Sequence, residues 1–383
     1  MRFFLLITAT WAFFSTTHGL AQGAYDSTGA KRPRHYFQSQ IQLDGYRKRN
    51  QDLKTNNRIG QTLETYGLRQ GNLSFLIPVY TRDWQGVDKD KTIHANEHVL
   101  VTGLIHTLRP EFKGIPDHRL RKSGVGVRYI KNNGKKSVWF IEVAPFVTRD
   151  MTYKSAPYFR LASTIIYSYN AKRWLNFRMG ATKSFAWGNR LYLPFIGLRI
   201  GRLDKFNVSI QFPRQATINL PVSHHWLFAL YTKPQGGMYN FSNHDTLYYL
   251  PYVKTFQFTR YELNTGLRVD YRGKRLNLFL ATGFCTRTSL TFYSDQKNAG
   301  AAPYRVYFYN ATPGATLYSE TGIVFKLGKA RSIYNNTNLY DAIDLNGGNG
   351  AGDQNAQIPM DTKRQQNDLN LEEIRDLVEY DDL

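Results

Sequence analysis

Cysteine is almost absent: Cys285 is the single one in 383 residues. An internal disulfide is therefore excluded, and with it the cross-linked scaffolds common among small secreted domains. No cysteine stands just after Ala21, which excludes lipid attachment there. Long apolar runs are missing too. None reaches roughly 18 residues, so no transmembrane helix is available. Acidic residues are few, 29 against 50 Lys+Arg, for a net charge of +21. Catalytic signatures are lacking as well: there is no Gly-x-Ser-x-Gly elbow and no phosphate-cradling Gly-x-x-x-x-Gly-Lys-Ser/Thr. No catalytic, cofactor-binding or metal-binding residue is assigned, and no enzyme is expected.

Aromatics, by contrast, make up 15% of the chain, and many fall in alternating runs. The clearest run lies between Arg260 and Arg287. Tyr261, Leu263, Thr265, Leu267, Val269 and Tyr271 alternate there with Arg260, Glu262, Asn264, Gly266, Arg268 and Asp270. A period of two gives two chemically distinct faces only on a β-strand. After Arg272-Gly273-Lys274, Leu276, Leu278 and Leu280 resume the pattern against Arg275, Asn277 and Phe279, which predicts an antiparallel hairpin. Such a hairpin fits either a soluble β-sandwich with its apolar face on a core, or a membrane barrel with that face on lipid. In a barrel, Arg or Lys on the lipid side costs about 2–4 kcal/mol at the midplane, so the charged face must point inward. The lumen-facing candidates are then Arg260, Glu262, Asn264, Arg268, Asp270, Arg275 and Asn277, with Arg199 from an earlier run. Tyr261 and Tyr271 are placed to join aromatic girdles around an apolar band about 25 Å tall.

The rest of the chain favours the barrel. Met1 to Ala21 has the form of a cleaved secretory signal, with Arg2, an apolar stretch from Phe3 to Phe14, and small residues at Gly19 and Ala21. Residues 22–35 are polar and are expected to be disordered. Candidate strands are Tyr36–Leu43, Asn72–Tyr80, Val99–Leu108, Leu120–Lys131, Ser137–Thr148, Tyr158–Asn170, Trp174–Ala186, Arg190–Ile200, Phe206–Ile218, His225–Lys233, the two of the hairpin, and Thr316–Lys326. Single-chain bacterial barrels have even strand numbers, and about twelve are expected here. Long polar loops are expected at Arg47–Gly71, Gln235–Lys254 and Ser289–Ala315. Pro78, Pro145, Pro194 and Pro213 fall in or beside strands, where a missing N–H breaks the ladder.

The expected division is a signal peptide (1–21), a disordered segment (22–35), a barrel (36–328) and an acidic flexible tail (329–383). Residues 331–383 hold eleven acidic and four basic residues, a net of −7, leaving +28 for residues 1–330. Leu371, Ile374 and Val378 share a helical face, so residues 369–380 can form a short amphipathic helix that docks on a basic rim or lumen, or on a periplasmic partner. Otherwise the tail is solvated.

With those features in place, the chain resembles outer-membrane β-barrel proteins of Gram-negative bacteria. Leu193-Pro194-Phe195-Ile196-Gly197 is typical of them. Leu73–Tyr80 with its proline, Ser123-Gly124-Val125-Gly126 and Phe212-Pro213 resemble the family filed as domain of unknown function 6268. The resemblance spans about Tyr36 to Leu327. It implies an all-β, transmembrane antiparallel up-and-down barrel in the outer membrane, and no activity. With the tight turn Arg272–Lys274 placed in the periplasm and the long connection Ser289–Ala315 outside, the C-terminus is expected in the periplasm. Outer-membrane lipids are the expected partners; nucleic acid is not, because the chain is exported.

The expected role is structural, surface interaction, or passive passage of small solutes with a preference for anions. Two alternatives stand: a soluble secreted β-sheet protein that binds ligands, and a barrel-embedded lipid-modifying enzyme. For the latter, His106, Ser168, Ser184 and His225 are available, and nothing in their spacing selects among them. His94 and His98, with Glu97, depart from His-Glu-x-x-His and precede a strand, where residues four apart sit about 13 Å from each other. No metal site is expected there.

Overall fold

The fold comes from a computed structural model. It describes residues 38–53, 65–88, 91–113, 117–132, 136–153, 156–172, 174–185, 190–202, 205–223, 225–242, 255–273, 275–296 and 304–327. The expected signal peptide, the segment 22–35, and the acidic tail with its helix lie outside the described residues.

Fifteen strands and no helix occur among the described residues. In chain order they are β1 (Ser39–Asp52), β2 (Thr65–Asp88), β3 (Lys91–Phe112), β4 (Leu120–Asn132), β5 (Ser137–Asp150), β6 (Tyr158–Lys172), β7 (Leu175–Ser184), β8 (Leu191–Gly201), β9 (Asn207–Phe212), β10 (Gln215–Pro221), β11 (Trp226–Ser242), β12 (Thr255–Arg272), β13 (Leu276–Gln296), β14 (Tyr304–Ala311) and β15 (Thr316–Leu327). From β1 to β14 each strand pairs antiparallel with the next, and β1 pairs with β15 from Ser39↔Leu327 to Lys48↔Tyr318, so the sheet closes on itself.

β13 pairs with β15 over Leu276–Cys285 and with β14 over Leu290–Gln296, which makes β14 and β15 two lengths of one stave. The barrel thus has fourteen staves, not the expected twelve. The run Phe206–Ile218, read as one strand, is in fact the hairpin β9–β10. Pro213 has no N–H to extend a ladder, and the Arg214 N–H donates to the Gln211 carbonyl at 2.7 Å to close the turn.

Other strands outrun their expected bounds. β1 and β2 take in much of the supposed loop Arg47–Gly71, β11 reaches Ser242, and β13 and β14 occupy most of Ser289–Ala315. Beyond the apolar band a strand has polar residues on both faces, so its period of two disappears from the sequence while its backbone ladder continues. The prolines sit where ladders are broken or unpartnered. The β2–β3 register slips between Pro78 and Tyr80, and the β4–β5 ladder is interrupted beside Pro145. Pro194 lies on β8 beyond Ile196↔Phe212, where β9 stops.

Connections differ between the two rims. One rim carries residues 89–90, 133–136, 173–174, 202–206, 222–225 and 273–275, together with the strand ends Ser39 and Leu327. At one of these turns Gly201 takes a φ of 105°, a left-handed conformation that suits glycine. The opposite rim carries residues 53–64, 113–119, 151–157, 185–190, 213–214, 243–254 and 297–303. All but one of these are longer than any on the turn rim.

Burial alternates along the staves. In β15, Thr316, Tyr318, Glu320, Gly322 and Lys326 are buried inside, while Leu317, Ile323, Phe325 and Leu327 stand exposed outside. Apolar residues dominate the outer wall: Leu267 is 62% exposed, Ile196 62% and Met179 59%. Exposed aromatics edge this wall, with Trp139, Tyr169, Trp174, Phe206 and Trp226 toward the turn rim and Tyr158, Phe159, Tyr192 and Phe212 toward the other.

Candidate functional site in the barrel interior

The barrel wall points a polar and charged lining inward, and its centre is Glu262 on β12. This carboxylate is fully buried and accepts from Lys48 Nζ at 3.0 Å, Arg260 Nη1 at 3.0 Å and the Tyr46 hydroxyl at 3.3 Å. Lys48 also donates to Thr288 Oγ1 at 2.8 Å and lies over the Tyr66 ring, 5.0 Å from its centroid. Arg260 Nη2 donates to Gln70 Oε1 at 3.1 Å. Two cations and one carboxylate are tolerated out of water only because each meets an opposite charge and further hydrogen bonds. The strands fix the geometry: Arg260 and Glu262 are two apart on β12 and share its inner face, while Tyr46 and Lys48 do the same on β1.

A second pair lies on the neighbouring wall. Arg128 Nε donates to Glu142 Oε1 at 2.8 Å from β4 to β5. Beside it Leu76, Leu100, Ile130, Val138, Phe140, Ile166 and Phe195 form a buried apolar cluster. Arg214, from the β9–β10 turn, reaches inward over the rings of Phe140 (5.9 Å) and Phe195 (5.5 Å). Further around the wall, Arg268 Nη2 meets Asp270 Oδ1 at 2.7 Å, and Lys233 Nζ meets Glu320 Oε1 at 3.6 Å across from β11 to β15.

Toward the long-loop rim β11 loses its partner on one side, while its pairing with β12 runs on to Ser242↔Thr255. Its pairing with β10 ends at Thr232↔Ala216, and the segment beyond packs on inward residues of other staves. Met238 packs against Phe146, Ala162 and Phe185. Asn240 Oδ1 accepts from Arg160 Nη2 at 3.2 Å, and Tyr239 stacks with His106 at 6.0 Å. Alongside, Tyr66, Phe112, Phe256, Phe258 and Phe292 form an aromatic cluster. The β9–β10 hairpin is short, so nothing holds this part of β11 in the ring on that side.

The sequence-derived lumen residues fall as follows. Arg199, Arg260, Glu262, Asn264 and Asp270 are buried, Arg268 and Asn277 are partly buried, and Asn264 Nδ2 donates to Gln235 Oε1 at 2.7 Å. Arg275 stands apart: it is exposed in the turn before β13, where its carbonyl accepts from the Lys326 N–H at 2.9 Å. Tyr261 and Tyr271 are half-buried on the outer wall, Tyr271 packed at 5.2 Å against Trp226.

Of the histidines, His225 is exposed at the turn rim and bonds the Arg272 carbonyl at 2.9 Å. His98 is buried between Asn96 Oδ1 (3.0 Å) and Thr81 Oγ1 (3.2 Å), and the His94 side chain lies outside the described residues. Among the described residues no three His, Cys, Asp or Glu are grouped to hold a metal. Ser168 accepts from Asn176 Nδ2 at 2.8 Å, and Ser184 is buried in β7. Sequence reading missed Tyr46, which lies just past the expected strand Tyr36–Leu43; Lys48, Tyr66 and Gln70, which it left in the loop Arg47–Gly71; and the Arg128–Glu142 pair. For Tyr46 and Lys48 a signal existed, because the alternation of β1 continues past Leu43 through Asp44, Tyr46 and Lys48.

The class is thereby defined: a closed antiparallel β-barrel, apolar outside and ion-paired within. A family model described as a domain of unknown function (DUF6268) matches residues 113–323, more than half of the chain, and the chain belongs to that family. The matched segment begins at β4, although β1 to β3 complete the same ring. No curated protein matches the sequence. Among solved structures, the β domain of the Bordetella autotransporter Brka is similar at 10% identity and a TM-score of 0.25, covering 76% of this chain and 100% of its own. The transport unit of the autotransporter AIDA-I from Escherichia coli matches at 8% and 0.25, over 82% and 97%. OccAB4 of Acinetobacter baumannii matches at 9% and 0.24, over 76% and 98%. Overlaps this low carry no weight for activity.

Proposed function

We propose that the chain is an integral outer-membrane protein of a Gram-negative bacterium, with a structural or surface-interaction role. The carrying observation is the inversion of polarity: Leu267, Ile196 and Met179 are exposed on the outer wall while Arg260 and Glu262 are shut inside. A soluble sheet protein would place its leucines on a core, so the soluble ligand-binding alternative is disfavoured. Lysines beside rim aromatics add support, Lys172 over Trp174 at 5.3 Å and Lys183 over Tyr192 at 5.6 Å. Such side chains suit the lipid headgroup level. In this reading the turn rim, with both ends of the closing seam, faces the periplasm, and the longer loops face outward.

No enzymatic activity is proposed. Passive passage of anions gains no support from the ion pairs and apolar clusters that line the described interior, so a packed lumen is the favoured reading. Cell fractionation, with electrophoresis of unheated and boiled samples, tests the location. The protein should partition with outer membranes and migrate differently after boiling, whereas recovery in the soluble periplasm overturns the reading. Planar-bilayer recordings of the folded protein should show no standing conductance.

A further inference from the structure

Beneath the inward segment of β11 lies a cavity of about 70 Å³, lined among others by His106, Lys122, Lys233, Arg260 and Glu320. By volume it holds a few waters or one small oxyanion. Three of these five groups are cations, against a single carboxylate that Lys233 already meets. Arg260 commits Nη1 to Glu262 and Nη2 to Gln70, but its buried Nε has no hydrogen-bond partner among the described residues. The ammonium of Lys122 sits over the Phe146 ring at 4.6 Å. Donors therefore surround the space.

A neutral acceptor also faces the space, and a chain of hydrogen bonds sets it. Asp44 Oδ1 accepts from Asn72 Nδ2, which turns the Asn72 carbonyl oxygen toward His106. That oxygen contacts His106 Nδ1, so Nδ1 carries the proton and donates. Gln42 Nε2 holds the other Asp44 oxygen at 3.0 Å and keeps the relay in place. His106 Nε2 is left with a lone pair, buried and without a partner among the described residues.

Cationic donors plus one neutral acceptor match an oxyanion that keeps a proton of its own. We propose that this cavity binds hydrogen phosphate, with its P–O oxygens on Arg260 Nε, Lys122 and Lys233 and its P–OH donating to His106 Nε2. Sulfate, which is fully deprotonated near neutral pH, has no proton for Nε2 and meets a lone pair instead. The site discriminates by that single hydrogen bond.

The test is calorimetric titration of the full chain, folded in detergent and shown to be heat-modifiable, with inorganic phosphate and separately with sulfate. Phosphate should bind saturably and about tenfold more tightly than sulfate, the size of one charge-assisted hydrogen bond. His106→Phe should bring phosphate down to the sulfate level, and Lys122→Gln, at a partly exposed position, should weaken both anions alike. No saturable phosphate binding, equal affinity for the two anions, or an unchanged preference in His106→Phe overturns the proposal. Should His106→Phe not fold, the wild-type ratio of phosphate to sulfate decides alone. A folded barrel that ignores phosphate leaves the membrane assignment standing, so the two readings fail separately.

Discussion

Lys48 Nζ stands 3.0 Å from Glu262 Oε1, the two residues 214 positions apart in the chain and both side chains shut off from solvent. The pair joins β1, at one side of the closing seam, to β12. Removing the carboxylate leaves Lys48 and Arg260 as buried cations without a counter-charge, whereas removing Lys48 leaves Glu262 still paired with Arg260. Glu262→Ala should therefore destabilise the folded barrel by about 3–5 kcal/mol and Lys48→Met by clearly less. Urea titration in lipid vesicles, followed by tryptophan fluorescence, measures both.

Leu267 lies in the middle of the outer apolar wall. Leu267→Arg should cost about 2–4 kcal/mol in vesicles, since the guanidinium would face acyl chains. If the outer wall were bathed in water, an exposed position like this one would tolerate the change within about 0.5 kcal/mol. The same titration separates the two cases.

Gly322 supports a stack inside the lumen. A Cβ added there would lie 2.3 Å from the Phe279 ring, and Arg268 rests on that ring at 4.2 Å. Gly322→Val should cost about 1–3 kcal/mol through overpacking, and Phe279→Ala in the same chain should recover part of it. Equal stability of Gly322→Val and wild type in vesicles would show that the ring is free to move aside.

The inner course of β11 should control whether ions cross. Met238→Ser combined with Asn240→Ala removes the contacts to Phe146 and Arg160 that fasten this segment. Planar bilayers should then record channel openings that the wild type lacks. Silent bilayers from a folded variant would mean that the aromatic cluster around Phe258 closes the lumen unaided.

Much of the barrel was legible in the chain, and the reason is chemical contrast. Between Tyr261 and Asp270 outward-facing and lumen-facing residues differ at every step, so strand and face could be read together. Contrast fades where both faces are polar, which is why Arg47–Asp52 and Thr65–Gly71 read as loop. The hairpin at Pro213 was hidden because two apolar strands joined by two residues resemble one longer run. Interior partners were legible only in part. Arg260 and Glu262 declare their shared face by spacing, but no local pattern joins them to Lys48 and Gln70. The bend of β11 depends on the shortness of a neighbouring hairpin, which its own residues do not encode.

The seam between β1 and β15 has a consequence for assembly. Ser39 pairs with Leu327, so the ring is closed by contacts of the greatest separation in the sheet, a slow class of event. Until then two strand edges are open to pairing with other chains. Shielding during export, and release only at the surface where the cylinder shuts, would keep those edges from joining the wrong partner.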